Sequence, residues 1–163
     1  MSSTQESLSL PCYLNKSTSI HKLFSKFDSD PHQSMVEADS AFRSGINPNA
    51  YDKNGLTIFH TCVIKDQFEG IKYLFEVNRK NPRFLDLETT TANEGKNIFH
   101  LSVFLKKLKI AKFIASSGFP LNSRDKLGCR AINLVDQNYE FLFVLKKAMK
   151  GKKNIFLRHP QRF

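Results

Sequence analysis

The sequence predicts an all-α fold, a solenoid of about four helix-turn-helix repeats whose first and last copies are degenerate. The first observation is that GINPNAYDKNGLT at 45–57 and GFPLNSRDKLGCR at 118–130 agree at four positions with the same spacings of four, three and three: Gly45, Asn49, Asp52 and Gly55 match Gly118, Asn122, Asp125 and Gly128. The second is that GLTIFH at 55–60 and GKNIFH at 95–100 share a glycine, an Ile-Phe pair and a histidine. Gly95 lies 33 residues before Gly128 and 40 after Gly55, so one structural unit recurs along the chain.

Each copy has the residues that a turn followed by a helix requires. A glycine three residues after an aspartate permits the positive φ of a tight turn. The polar residue that follows, Thr57 or Asn97, supplies an oxygen that caps a helix. We therefore expect a first helix in each unit, near 19–27 and at 58–64, 97–105 and 131–135. A second helix is expected near 33–44 and around three apolar stripes at helical spacing: Ile71, Leu74 and Phe75; Ile110, Phe113 and Ile114; and Phe141, Val144 and Leu145.

These residues resemble the ankyrin repeat, which has a GxxxNxxDxxG loop and then a Thr-Pro-Leu-His box. The box is TSIH at 18–21, TIFH at 57–60, NIFH at 97–100 and RAIN at 130–133, so every copy lacks the proline and the last lacks the histidine. The resemblance implies an ankyrin-repeat domain over 18–148, with repeats at 18–50, 51–91, 92–124 and 125–148. Seven extra residues fall in the polar stretch 78–91, where a longer loop costs little. The flanks are predicted to be a disordered Ser/Thr-rich N-terminus at 1–17 and a basic tail at 149–163.

Composition narrows the class of protein. The 163 residues, 40% of them apolar, suffice for one compact domain. No stretch approaches the roughly 18 apolar residues of a membrane span, and the N-terminus has neither a basic start nor an apolar segment typical of a secretory signal. The three cysteines, Cys12, Cys62 and Cys129, have no metal-ligand spacing and favour reduced thiols inside a cell.

The recurring histidines, His60 and His100, allow two interpretations: a metal or acid–base site, or a structural position written twice. Equivalent positions in packed units lie roughly 10 Å apart, whereas a Zn–N bond is about 2 Å long. We therefore predict that they are structural and hydrogen-bond near their own turn and the next repeat. Cys62 and Ser102 occupy positions where a small residue lets helices approach, and no nucleophile–base pair or phosphate-binding loop is present. The sequence predicts no enzyme activity, metal, cofactor or small-molecule substrate.

The net charge of +10 is concentrated in the C-terminal half, because residues 92–145 carry +4 and residues 146–163 carry +7. The lysines of FLKKLKIAKF at 104–113 favour the solvated face of an amphipathic helix pair, with nucleic-acid or membrane contact as the alternative. KKAMKGKK at 146–153 is past the last expected packing positions. It is consistent with a nuclear localisation signal, an anion-binding tail or a capping segment.

The overall plan resembles one group of ankyrin proteins. A short chain that is almost all repeats, with the box degraded to NIFH and many Phe, Lys and Asn residues, is similar to the polydnavirus vankyrins, which look like truncated IκB inhibitors. The resemblance implies sequestration of a host Rel/NF-κB transcription factor and suppression of immune genes, in the host cytoplasm or alternatively the nucleus. Cellular IκB proteins carry an Asp-Ser-Gly phosphodegron and an acidic tail. Here DSD at 28–30 lacks the glycine and the tail is basic, so inhibition would depend on the repeats.

Ankyrin proteins bind partners through hairpin tips and inner helices. The resemblance therefore places the partner contacts at the predicted tips, which are Tyr51, Asp52, Lys53, Asn54, Asn93, Glu94, Arg124, Asp125, Lys126 and Leu127. The predicted structural positions of the repeat are Gly55, Thr57, His60, Gly95, Asn97, His100 and Gly128. Two alternatives stay open: a basic module associated with nucleic acid or membrane, and an adaptor for another host protein. Nucleic acid is the partner that we do not expect.

Overall fold

The structure is a computed structural model that describes residues 19–135 and 139–150. Over these residues it is helical with no strand, which confirms the predicted all-α class. The helices are α1 (19–24), α2 (Pro31–Arg43), α3 (Ile58–Ile64), α4 (Phe68–Lys80), α5 (Ile98–Phe104), α6 (Leu108–Ser116) and α7 (Tyr139–Lys150). Two short 3₁₀ helices cover Phe27–Ser29 and Ala131–Leu134. The predicted disordered N-terminus at 1–17 and residues 151–163 of the predicted tail lie outside the described residues.

The inner helices α3 and α5 begin and end in the same way. Each follows an extended polar N-cap residue, Thr57 or Asn97. Each ends at a non-glycine residue with positive φ, Asp66 at 59° and Lys106 at 57°. The amide of Gln67 donates to the Cys62 carbonyl at 2.8 Å, which is the long hydrogen bond of a Schellman cap. Because both ends are closed within seven residues, each inner helix is short and the next helix starts at once.

The helices pack in chain order. Helix α3 contacts α4 and α5, α5 contacts α6 and the second 3₁₀ helix, and α6 contacts α7. Apolar residues on the facing sides are fully buried, and they include Phe59, Ile71, Phe99, Ile110 and Leu145. Apolar residues are therefore buried both within a helix pair, where α3 packs on α4 and α5 on α6, and between successive pairs, where α3 packs on α5 and α6 on α7. Such packing between neighbouring pairs is expected where no single pair can form a core alone.

Aromatic residues fill the junction between the first two pairs. Phe24 and Phe27 are stacked with ring centroids 5.1 Å apart, and Phe27 stacks on Tyr73 of α4 at 5.4 Å. The Tyr73 hydroxyl donates to the Asp39 carboxylate of α2, and burial is the main cause that raises the pKa of Tyr73. Offset aromatic pairs of this kind add about 0.5–1.5 kcal/mol beyond the area they bury. This cluster joins α1 and α2 to the rest of the molecule.

The structure corrects four sequence predictions. The first helix ends at residue 24 rather than 27, and a 3₁₀ turn follows it. The segment predicted as a helix at 131–135 is a 3₁₀ turn over Ala131–Leu134. The inserted stretch 78–91 is not simply polar loop, since Leu85 is buried. Helix α7 continues to Lys150 and Ala148 packs against the core, so the start of the KKAMKGKK stretch belongs to a packed helix.

Candidate partner-binding surface

Three turns lie side by side and are joined by hydrogen bonds. We call the surface formed by residues 51–57, 92–97 and 124–130 the turn ridge. The amide of Ala92 donates to the Gly55 carbonyl at 3.0 Å, and the amide of Lys126 donates to the Glu94 carbonyl at 3.1 Å. The Lys126 ammonium also donates to the Ala92 carbonyl at 2.7 Å. The structure therefore brings the predicted tip residues of all three turns together on one continuous surface.

Two of the predicted contact residues serve the turns themselves. The Asp52 carboxylate accepts the amides of Asn54 at 2.8 Å and Leu56 at 2.9 Å. Asp125 accepts the amides of Leu127 at 3.0 Å and Cys129 at 2.8 Å, and it is only 7% exposed. These are Asx-type turns, in which the side chain satisfies the backbone that it has just redirected. The geometry gives both aspartates a structural task, and their contact with a partner stays a prediction.

The other predicted tip residues present exposed side chains, and these are Tyr51, Lys53, Asn54, Asn93, Glu94, Arg124, Lys126 and Leu127. Several are held in place although they are exposed. The Tyr51 hydroxyl donates to the Thr90 carbonyl at 3.0 Å, and Arg124 donates to the Gly128 carbonyl at 2.7 Å. Glu94 accepts the Lys96 ammonium at 2.9 Å. A partner would therefore meet side chains whose conformational freedom is already reduced.

The glycines show how closely successive turns approach each other. Gly55 has a φ of +71°, and a Cβ built on it would lie 2.5 Å from the Cβ of Ala92. A Cβ on Gly95 would lie 2.8 Å from Cγ of Lys126. A Cβ on Gly128, at φ +79°, meets nothing within 4 Å. The turns of Gly55 and Gly95 are each covered by the next turn, whereas no described residue covers the turn of Gly128.

His21, His60 and His100 lie inside this framework rather than at its surface. His100 is 1% exposed, with Nδ1 at 2.7 Å from Asn97 Oδ1 and Nε2 at 3.1 Å from the Cys129 carbonyl oxygen. His21 Nδ1 lies 3.0 Å from Thr61 Oγ1, and its Nε2 lies 3.3 Å from a backbone carbonyl of the following turn. The His100 ring therefore joins the N-cap of its own helix to a turn, and the His21 ring joins α3 to a turn. Burial also lowers the pKa of His21, and a backbone hydrogen bond to Ala50 partly offsets that effect.

His60 differs from the other two because one ring nitrogen has no partner. Its Nδ1 accepts the Thr57 amide at 3.1 Å, but its buried Nε2 makes no hydrogen bond. Burial lowers the pKa of His60 to about 4, and the nearby carbonyls of Lys96 and Thr89 oppose that shift without reaching hydrogen-bond geometry. In His21 and His100 the equivalent nitrogen faces the carbonyl 29 residues later. The insertion moves the corresponding residue of His60 to Lys96, which follows Gly95 as Cys129 follows Gly128, and the Lys96 carbonyl accepts the amide of Thr91 at 2.9 Å.

Two functional-looking features have a structural explanation that the sequence did not reveal. Asp28 of the DSD triplet caps α4, since its carboxylate accepts the amides of Glu69 at 3.0 Å and Gly70 at 3.2 Å. Asp30 caps α2 through the Gln33 amide at 3.1 Å. A DSD sequence gives no local signal for the first of these caps, because its target helix lies about forty residues away.

Asn49 is a second such residue. Its side chain donates to the Phe84 carbonyl at 3.1 Å and accepts the Asp86 amide at 2.9 Å. It therefore fastens the inserted stretch to the first turn. Asn122, its counterpart in the sequence pattern, is exposed and makes no comparable bond among the described residues. The difference follows from the insertion, which supplies Asn49 with a backbone segment to hold.

The lysine-rich stretch 104–109 borders an open groove of about 380 Å³. Lys106, Lys107 and Lys109 line it together with Phe68, and Lys109 sits 3.9 Å from the centroid of the Phe68 ring. Lys107 pairs with Asp66 at 3.1 Å. The groove is open and partly neutralised, and no serine, cysteine or histidine lines it. The one buried thiol among the described residues, Cys62, has its pKa raised by burial, which makes it a poor nucleophile at neutral pH.

Over residues 19–135 and 139–150, no group of three or more His, Cys, Asp or Glu side chains is placed to hold a metal ion. Within the same ranges, no helix has the length and apolar character needed to cross a bilayer. No protein-family model matches the chain, and no curated protein sequence matches it.

Proposed function

We propose that the chain is an ankyrin-repeat protein that binds another protein through the turn ridge and has no enzymatic activity of its own. The pattern of glycine turn, capped short helix and second helix at intervals of 40 and 33 residues supports the repeat assignment. The observation that carries the function is the hydrogen-bonded union of the three turns. It presents exposed Tyr51, Arg124 and their neighbours on a surface that is already ordered before a partner arrives.

The proposed partner is a host Rel/NF-κB-type transcription factor, as the resemblance to vankyrins suggests. Rel proteins present a basic import segment. The ridge has one exposed acid, Glu94, and the inserted stretch before it in the chain has two more, Asp86 and Glu88. Binding would mask that segment and hold the factor off DNA in the host cytoplasm. Asp28 and Asp30 are engaged as helix caps, so the DSD triplet serves the fold. That role is consistent with an inhibitor that degradation signalling does not remove.

A pull-down with purified Rel-homology domains, followed by titration of the pair, tests this proposal. We expect binding at micromolar concentration or below, and Tyr51→Ala combined with Arg124→Ala should weaken it by about tenfold or more, since Tyr and Arg are frequent interface anchors. Lys112→Ala is the matched control, because Lys112 is exposed on α6 away from the ridge. Absence of binding at micromolar concentration would exclude a Rel partner. Capture of a different host protein that depends on Tyr51 and Arg124 would favour the adaptor alternative.

The groove beside 104–109 supports a second candidate, a basic module that binds an anionic partner. Lys106 and Lys109 line it without an acidic partner among the described residues. Charge reversal by Lys106→Glu and Lys109→Glu tests this candidate more cleanly than removal of 146–163, which would cut into α7. Binding of an oligonucleotide that falls steeply with salt, and that is lost in this variant, would favour the basic module.

A further inference from the structure

The most exposed large apolar side chains of the described residues all lie in the last unit. Leu127 is 86% exposed, Tyr139 is 81% exposed and Phe143 is 68% exposed. Leu127 lies in the last turn, whereas Tyr139 and Phe143 lie one helical turn apart on α7. Single exposed apolar residues are ordinary, but two aromatics on one helix face form a patch.

Among the described residues, no element lies on the outer side of this unit. Ala92 covers the turn of Gly55 and Lys126 covers the turn of Gly95, but no described residue stands within 4 Å of a Cβ built on Gly128. Among the helices, α6 is covered by α7, through buried Phe141 and Leu145 of α7. In a repeat array, the last unit ordinarily needs a polar outer face. The outer face of α7 departs from that expectation, and this step rests on the proposed repeat architecture.

The outer face of α7 changes from aromatic to basic along its length. Tyr139 and Phe143 are followed at helical spacing by the exposed Lys147 and Lys150, and Glu140 is the only acid in the helix. The described residues of the last unit, 118–135 and 139–150, contain six basic and two acidic side chains. One of those acids, Asp125, is engaged in its own turn. The face therefore combines two apolar anchors with a net positive charge.

We propose that the outer face of α7, defined by Tyr139, Phe143, Lys147 and Lys150, docks an acidic amphipathic helix of a partner protein. A helix fits because α7 itself covers α6 in the same way. Acidic side chains on that helix would match the lysines, while its apolar stripe would cover the two aromatics. A second copy of this chain is disfavoured as the occupant, since two such faces would bring lysines against lysines.

The test uses the full chain and a labelled peptide of about 18 residues, long enough to be helical, with leucines on one face and glutamates on the other. Fluorescence anisotropy measures its binding. Three further probes are a scrambled peptide of the same composition, a single-stranded oligonucleotide and phosphatidylserine vesicles. Phe143→Ser removes an anchor, and Lys147→Glu with Lys150→Glu reverses the charge. Val36→Ser is the matched control, because Val36 is a comparably exposed apolar residue on α2.

We expect micromolar binding of the acidic helix, weakened about tenfold or more by Phe143→Ser and unaffected by Val36→Ser. In the Lys147→Glu, Lys150→Glu variant, a peptide with lysines in place of the glutamates should bind instead. Circular dichroism and urea midpoints establish that the variants fold, which the exposure of the substituted residues leads us to expect. Failure of the acidic helix to bind, equal binding of the scrambled peptide, or binding of only the oligonucleotide or the vesicles would overturn the proposal. None of these outcomes depends on whether a Rel protein binds the turn ridge.

Discussion

Replacing Gly55 with alanine measures how tightly one turn packs on the next. The backbone at Gly55 has a φ of +71°, which an L-residue adopts at a cost of about 1–2 kcal/mol. The new Cβ would also stand 2.5 Å from Cβ of Ala92, whereas carbon atoms pack at about 3.5–4.0 Å. Overpacking of this kind typically costs about 1–3 kcal/mol. We therefore expect Gly55→Ala to destabilise the protein by about 2–5 kcal/mol.

Gly128→Ala provides the matched control. Its φ of +79° imposes the same backbone cost, but the new Cβ meets nothing within 4 Å. The expected loss is therefore about 1–2 kcal/mol from backbone strain alone. Urea unfolding followed by far-UV circular dichroism measures both losses as shifts of the midpoint at unchanged slope.

A second substitution separates the contact from the strain. Ala92→Gly removes the Cβ that Gly55→Ala would strike, so the double variant should recover about 1–3 kcal/mol of the overlap cost beyond what the two single variants predict. Equal losses in Gly55→Ala and Gly128→Ala, or no recovery on adding Ala92→Gly, would refute the stacked arrangement of these two turns.

Three further predictions concern contacts within and between units. Asp28→Ala should lower the free energy of unfolding by about 1–2 kcal/mol because it removes the cap of α4, and Asp28→Asn should lower it less because an oxygen remains. A loss of no more than a few tenths of a kcal/mol in urea unfolding of Asp28→Ala would contradict the cap. Asn49→Ala should lower the free energy of unfolding by about 1–3 kcal/mol, because Asn49 holds the backbone of Phe84 and Asp86, and Asn122→Ala should change it very little. Equal urea midpoints of the two variants would argue against that role of Asn49. Lowering the pH from 7 to 5 should destabilise the wild type more than His60→Asn. The pKa of folded His60, about 4, lies below the ordinary 6.5, so the unfolded chain binds more protons in this window and stability is lost as the pH falls. The difference should approach about 2 kcal/mol in urea titrations at both pH values, and parallel losses would show that His60 is not responsible.

Much of the fold was predictable because its signals are local. A glycine after Asp52, a capping oxygen at Thr57 and an apolar stripe at helical spacing act within one or two turns of chain, so residue spacing alone located α3 through α6. The prediction failed at 131–135, where the expected α-helix is a 3₁₀ turn over Ala131–Leu134.

The candidate surface was predictable only in outline. The sequence placed the tip residues on turns, but it did not show that the carboxylates of Asp52 and Asp125 accept hydrogen bonds from the backbone of their own turns. The sequence pattern also made Asn49 and Asn122 equivalent, although of the two only Asn49 binds the backbone of the inserted stretch among the described residues. These distinctions depend on which backbone groups come into reach after the chain has folded.

The sequence by itself determined the all-α class, the positions of the turns and the helices that follow most of them, because those features depend on interactions within a few residues. Only the tertiary structure decided that Asp28 caps α4, that Ala92 covers Gly55 and that no described residue covers the turn of Gly128 or the outer face of α7. Each of these joins, or leaves unjoined, elements about thirty to forty residues apart. Such contacts depend on which elements come together when the chain folds, and the spacing of residues along the sequence does not determine that.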